Sequence, residues 1–203
     1  PWVYKEAISA PGVERAGLAQ VSDNKGELAW AIYDPHGPLA LRILSTESAP
    51  PSVNNGFYTR RFERALRIRD SVRSDSTTAF RLFAGEGDGL PGLVCDVYGD
   101  AAVLQFDGRG PREFWTGLGE SGCEKPAWIA TWILENLPVA TVIEKNRRSE
   151  KQTAAISTII QIAGRDLASP DVVVKENGAI FKINLEKGQK TGFFLDQRDN
   201  RFY

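Results

Sequence analysis

The chain has 203 residues, 42% hydrophobic and 25% charged, with a formal net charge of −1. That is enough apolar material for one or two folded domains and too much for a disordered chain. No run of about 18 apolar residues suits a membrane span and no signal-peptide layout opens the chain; one His and two Cys leave too few ligands for a His/Cys metal centre or a disulfide framework. The reading is of a cytoplasmic protein with no membrane and no metal. Methionine is absent where average usage predicts about four. This points to a trimmed fragment or to modified methionines lost from the sequence.

The neutral average hides a pattern. Residues 1–57 carry 4 basic and 6 acidic groups, residues 58–81 carry 7 and 3, residues 82–144 carry 3 and 10, and residues 145–203 carry 11 and 7. A concentrated basic stretch in a neutral chain can still engage a polyanion locally.

Residues 1–57 read as a small all-β domain. Apolar runs at Trp2–Ile8, Leu18–Val21, Leu28–Tyr33 and Leu39–Leu44 are separated by turn signals at Pro11-Gly12, Asp23 to Gly26 and Asp34 to Pro38. A loop over 46–56 follows. Helical spacing of Phe62, Ala65, Leu66, Arg69 and Val72 predicts a helix over Tyr58–Val72, set within a linker over 58–77.

From Thr78 the texture changes to α+β. Strands are expected at Ala79–Phe83, Leu93–Tyr98, Ala101–Phe106 and Val139–Glu144, with a hairpin turn at Gly99-Asp100. Pro126–Leu137 reads as a helix burying Trp128, Ile129, Trp132 and Ile133. Residues 150–163 are compatible with a helix, but the β-branched run Ile156–Ile162 leaves helix and strand open. Asn177-Gly178 joins Val172–Glu176 to Ala179–Ile183 as a second hairpin. The middle domain spans 78–187, and 188–203 begins a further connection.

Gly87 to Gly92 matches G-x-G-x-x-G letter for letter. The dinucleotide motif needs a helix directly after it, to aim backbone N–H groups at a pyrophosphate. Pro91 intervenes and a strand follows, so the expectation is a strand–turn–strand connection. Arg60, Arg61, Arg64, Arg67, Arg69 and Arg73 are either a phosphate-binding face, with Tyr58 and Phe62 available to stack on bases, or a solvated helix face paired to Glu63 and Asp70. Lys145, Arg147, Arg148 and Lys151 form a weaker basic group. His36 reads as an exposed turn residue, Cys95 as core and Cys123 as an unactivated loop thiol. Glu86, Asp88 and Asp96 are candidate acid–base carboxylates, or simply turn residues.

Gly188 to Arg201 is the least ordinary stretch: two glycines frame a polar loop, Phe193 and Phe194 follow, and then comes a dense polar run. It suits a helix start, with Asp196 as its cap.

Three blocks, Pro1-Trp2-Val3-Tyr4, Arg81 to Val94 and Gly188 to Arg201, resemble the PUA-containing class I S-adenosylmethionine-dependent RNA methyltransferases. The nearest group is the large-subunit rRNA cytosine-C5 methyltransferases. The resemblance implies a PUA-like RNA-binding barrel over 1–57, then the α+β middle domain, then a Rossmann-like domain that binds S-adenosylmethionine (SAM) and carries the catalytic cysteine. The sequence stops before that last domain, so no catalytic residue is carried over; neither Cys95 nor Cys123 matches the family's position. Phe193, Phe194, Asp196, Gln197 and Arg198 are the candidates for facing the cofactor. Arg60, Arg61, Arg64 and Arg67 are the candidates for RNA. The expected partner is RNA, specifically rRNA, and a homodimer is left open. The chain alone is expected to position RNA without binding SAM or transferring methyl groups. The alternatives are a stand-alone RNA-binding PUA module without catalysis and a non-RNA protein-interaction α+β module.

Overall fold

Alternating apolar and polar residues at the N-terminus form short strands, because a pleated strand sends successive side chains to opposite faces. In a computed structural model, which describes residues 2–9, 13–47, 55–116, 125–146 and 158–202, these are β1 (Trp2–Tyr4), β2 (Gly17–Asp23), β3 (Gly26–Tyr33) and β4 (Leu39–Ser45). They pair antiparallel in the order β1-β4-β3-β2. The turn between β2 and β3 is closed by the Asp23 carboxylate, which accepts the N–H groups of Lys25 and Gly26 at 2.7 and 3.1 Å. Asp34 does the same for His36 and Gly37 ahead of β4, at 2.8 and 3.2 Å. Ala31, Tyr33, Ala40 and Leu41 are the core of this sheet.

The chain divides into two compact units: Pro1–Ala65 with Phe83–Leu93 and Phe106–Lys125, and Leu66–Leu82 with Val94–Gln105 and Pro126–Tyr203. Helix α1 (Asn55–Arg69) supplies residues to both. In the first unit its Tyr58 and Phe62 turn inward at i, i+4 spacing. Phe62 stacks on Phe83 with centroids 4.7 Å apart, and Tyr58 meets Trp115 at 5.0 Å. Burial of a ring such as Phe62 contributes about 1.5–3 kcal/mol. Both rings are buried, at 2% and 0% exposure, so neither offers a face to a base, which corrects the stacking expectation.

Helix α2 (Arg109–Thr116) lies in a stretch where the sequence predicts no element. Pro111 sits in the first turn, where its missing N–H costs nothing. Arg109 and Glu113 pair at i, i+4 (2.9 Å), and the Trp115 indole N–H reaches the Pro91 carbonyl at 2.8 Å.

β5 (Ala79–Ala84), β6 (Leu93–Tyr98), β7 (Ala101–Phe106), β8 (Thr141–Asn146) and β9 (Thr158–Gly164) form a sheet in that order. β7 and β8 run parallel, while β8 and β9 are antiparallel. The parallel step is crossed by α3 (Lys125–Asn136), whose Ile129, Trp132 and Ile133 are buried. β9 resolves the run that the sequence leaves between helix and strand: the β-branched residues favour a pleated strand, and pairing with β8 decides it. Residues 147–157 lie outside the described residues, as do Arg147, Arg148 and Lys151 of the second basic group, Cys123 and the Pro11-Gly12 turn. β10 (Asp171–Glu176) and β11 (Ala179–Asn184) are the Asn177-Gly178 hairpin. Val172, Val174, Ile183 and Leu185 join Tyr98, Val103 and Ile143 in the second unit's core. The architecture is therefore mixed α and β. Among the described residues no helix is long and apolar enough to cross a membrane, and no group of three or more His, Cys, Asp or Glu is placed to hold a metal.

Candidate functional site

The glycine motif does what strand–turn–strand geometry asks. Gly85–Asp88 is a 3-10 turn linking β5 to β6, and Gly85, Gly89 and Gly92 take positive φ of 60°, 70° and 72°. Asp88 accepts the Ala84 N–H at 2.7 Å. Glu86 pairs with the buried Arg42 at 2.6 Å, and Arg42 also reaches Asp107 at 2.9 Å. Burial would raise the Glu86 carboxyl's pKa; bonds from Arg42, its own backbone and Trp2 outweigh this and hold it below the usual value. These acids are pins of the first unit. Cys95 is fully buried, and desolvation pushes its thiol well up, so it is inert core. His36 is exposed in its turn, and its Nε2 meets Glu113 at 3.2 Å.

The Gly188–Arg201 segment is anchored in the second unit by a chain of aligned hydrogen bonds. The Phe193 N–H donates to the Tyr98 hydroxyl at 3.3 Å. Tyr98 donates to the Thr191 hydroxyl at 2.7 Å, and Thr191 donates to the Asp96 carboxylate. Arg81 closes the chain on Asp96 with a two-pronged contact, at 2.8 and 3.0 Å. Burial, and then the nearby Asp96 charge, push the Tyr98 phenol well above its usual range and keep it a donor. The buried Lys145 donates to the Gly188 carbonyl at 2.7 Å.

At the far end of the segment, Arg201 forks onto the buried Glu176 at 2.7 and 2.8 Å and lies 4.2 Å from the Phe193 ring centroid. Asp196 is not a helix cap. It sits inside a 3-10 turn, Leu195–Gln197, ahead of α4 (Arg198–Phe202), and that turn has no side-chain cap. Its carboxylate is taken by Lys190 at 3.0 and 3.1 Å, which holds its pKa below the ordinary carboxylate value.

A cavity of about 420 Å³ lies against this segment, within the second unit. Of the five cofactor candidates, Phe193, Asp196 and Arg198 line it. Phe194 does not; its ring is 39% exposed, with the Lys190 ammonium 4.6 Å from its centroid. Gln197 does not either; it accepts a bond from Asn200 at 2.8 Å. Sequence reasoning places Arg69 only among the α1 arginines and misses Phe80, Arg81, Lys190 and Asp199, which also line the cavity. The signal available was an arginine inside an otherwise apolar strand, at Arg81. Of the RNA candidates, Arg60, Arg64 and Arg67 are exposed along α1. Arg61 is turned inward, its guanidinium 3.5 Å over the Phe57 ring and bonded to the Phe57 and Leu44 carbonyls. Desolvation lowers its pKa.

The described segment fits SAM as a border. Asp196 offers an acceptor for a hydroxyl or ammonium, and the Phe194 ring a flat apolar face. The cavity does not suit SAM as its container: four cations face two carboxylates there, and SAM itself carries a sulfonium cation.

The fold is shared with proteins of known structure that are assigned as methyltransferases. A Streptococcus mutans protein assigned as SAM-dependent superposes on 98% of this chain with a TM-score of 0.74 at 21% identity, and the chain covers 48% of it. A protein assigned as a methyltransferase and crystallised with SAH gives the same TM-score at 21% identity, and the chain covers 47% of it. No family model matches the chain. By sequence it is similar to ribosomal RNA large subunit methyltransferase I of Alteromonas mediterranea, at 33% identity over 205 residues, 99% of this chain and 48% of that protein. The Vibrio cholerae protein of the same name is 32% identical over 206 residues, 100% of this chain and 49% of that protein. The chain spans about half the length of the curated relatives it matches.

Proposed function

We propose that the chain is the RNA-positioning part of a SAM-dependent methyltransferase acting on large-subunit rRNA at C5 of cytosine. The observation that supports this reading is the 33% identity running over 99% of the chain to a protein named as a large-subunit rRNA methyltransferase; the cytosine-C5 target rests on the resemblance of the three sequence blocks. In this reading the four-stranded sheet is a PUA-like module over 1–57. Residues 58–77 form the basic connection, and 78–187 the middle domain that helps shape the substrate cleft. Arg60, Arg64 and Arg67 hold phosphates, while Arg61 supports them from its packed position. Phe193, Phe194, Asp196, Gln197 and Arg198 border the cofactor; when bound, SAM supplies the methyl group. The base must leave its stack to be reached, and a cysteine outside this chain attacks it.

The test is methyl transfer. A polypeptide of the relatives' full length should label large-subunit rRNA from radioactive SAM, and nuclease digestion should yield 5-methylcytidine. The 203-residue chain alone should bind that rRNA and give neither label nor calorimetric SAM binding. No labelling by the longer polypeptide, or label on another base, would overturn the reading at the corresponding level.

A further inference from the structure

The cavity of the second unit has a lining that SAM does not explain. Arg69, Arg81, Lys190 and Arg198 are set against Asp196 and Asp199, and the remainder of its surface is apolar, including Val72, Phe80, Phe193 and Leu195. The charged heads are reachable: the side chains of Arg81, Lys190 and Arg198 are 42%, 36% and 29% exposed. Each is also steered by a carboxylate, Arg81 by Asp96, Lys190 by Asp196 and Arg198 by Asp199, at 2.8 to 3.1 Å. A guanidinium held this way keeps further N–H groups for a second anion. Pockets of roughly 300–1,000 Å³ take small ligands, and about 420 Å³ lies within that range. A ligand complementary to this lining has an apolar planar body and a compact negative charge.

We propose that this cavity is a subsite for one nucleotide of an RNA strand. The phosphate sits at the rim formed by Arg81, Lys190 and Arg198, and the base and ribose sit against the apolar wall. The strand rests on the RNA methyltransferase reading; the nucleotide chemistry rests on the cavity. In that reading the nucleotide lies beside the cofactor, with Phe193, Asp196 and Arg198 shared between the two and Phe194 and Gln197 outside the cavity. Asp196 and Asp199 hold two of the cations in place and keep them from closing on any stray anion, at a cost in affinity.

Calorimetric titration of the 203-residue chain with cytidine 5′-monophosphate, cytidine, inorganic phosphate, SAM and the trinucleotide CpCpC tests this. The monophosphate should bind more tightly than cytidine or phosphate, and the trinucleotide more tightly than the monophosphate. The double variant Lys190→Gln, Arg198→Gln should weaken both by about tenfold, on the scale of a lost charge-assisted bond. Asp196→Asn should strengthen both by removing a competing carboxylate. Circular dichroism should show all variants folded, since each changed side chain is at the surface. Equal binding of cytidine and its monophosphate, an unchanged double variant, or a trinucleotide no tighter than the monophosphate overturns the proposal. So does displacement of the monophosphate by SAM, which would give the cavity to the cofactor. The readout involves no methyl transfer. Its failure therefore leaves the enzymatic reading standing, and failure of methyl transfer leaves this subsite standing.

Discussion

The hydroxyl of Thr191 donates to the carboxylate of Asp96, a residue 95 positions earlier in the chain. Both are buried, at 0% exposure. This one bond couples the loop after β11 to the middle of β6, and with it the border of the candidate site to the core sheet.

Replacing Thr191 by Val keeps the shape and removes the hydroxyl. Asp96 then loses a donor and Tyr98 an acceptor. An unsatisfied buried polar group costs about 1–3 kcal/mol. Urea unfolding of the variant should show a loss of that size, with Thr191→Ser recovering much of it. A midpoint equal to wild type would mean that the chain of bonds contributes nothing to stability.

Gly188 has no room for a side chain. A Cβ there would lie 2.2 Å from the Gly192 carbonyl oxygen and 2.5 Å from that of Asn184, both fixed backbone. Gly188→Ala should destabilise by about 1–3 kcal/mol, as overpacking does, and should also loosen the loop. Faster amide exchange over 188–193 is the direct readout. Unchanged protection there would show that the loop absorbs the methyl group.

Glu86 carries an acid-sensitivity whose sign is fixed. Its folded pKa lies below its unfolded value, because the bonds from Arg42, its own backbone and Trp2 outweigh desolvation. The folded chain therefore binds fewer protons than the unfolded chain near and below the ordinary carboxylate pKa. The Glu86 contribution is complete above that pKa and is lost as the pH falls through the folded one. The stability gap between wild type and Glu86→Gln should be widest near neutrality and should shrink on acidification. A gap independent of pH would assign the effect to shape rather than charge.

Changing Arg60, Arg64 and Arg67 together to Ala should weaken RNA binding across sequences. It should also lower the slope of log affinity against log salt by about 2–3, the release expected for three phosphate contacts. Arg61→Ala should act differently, through stability, because its guanidinium packs on Phe57. If the triple variant keeps both affinity and slope, the RNA footprint lies off α1.

Much of the secondary structure was legible because it is locally encoded. β6 and β7 fall where the alternation around Gly99-Asp100 places them, and the Asn177-Gly178 hairpin follows from its turn alone. β9 and α2 were not legible for opposite reasons. β9 needs its partner β8 to decide a run compatible with either state, and α2 hides behind a proline that only the first turn of a helix tolerates. The site was half visible. The segment Gly188–Arg201 stands out by its residues, but the partners that seat it, Arg81, Asp96 and Tyr98, are ordinary strand residues. Only the fold brings them to Thr191.

The hydrogen bonds from Phe193 through Tyr98 and Thr191 to Asp96 all point the same way. The two hydroxyl links reverse only together, with the Phe193 carbonyl at 3.4 Å as the other acceptor for Tyr98. Asp96→Asn, which replaces one carboxylate oxygen by an NH2 group, would set donor against donor at the Arg81 guanidinium or make the Thr191 hydroxyl accept and reverse the links behind it. Positions 81, 96, 98 and 191 therefore form one heritable unit: a substitution at any of them changes what the other three can accept. In a pairwise mutational scan these four should show strong epistasis with one another despite their distance along the chain.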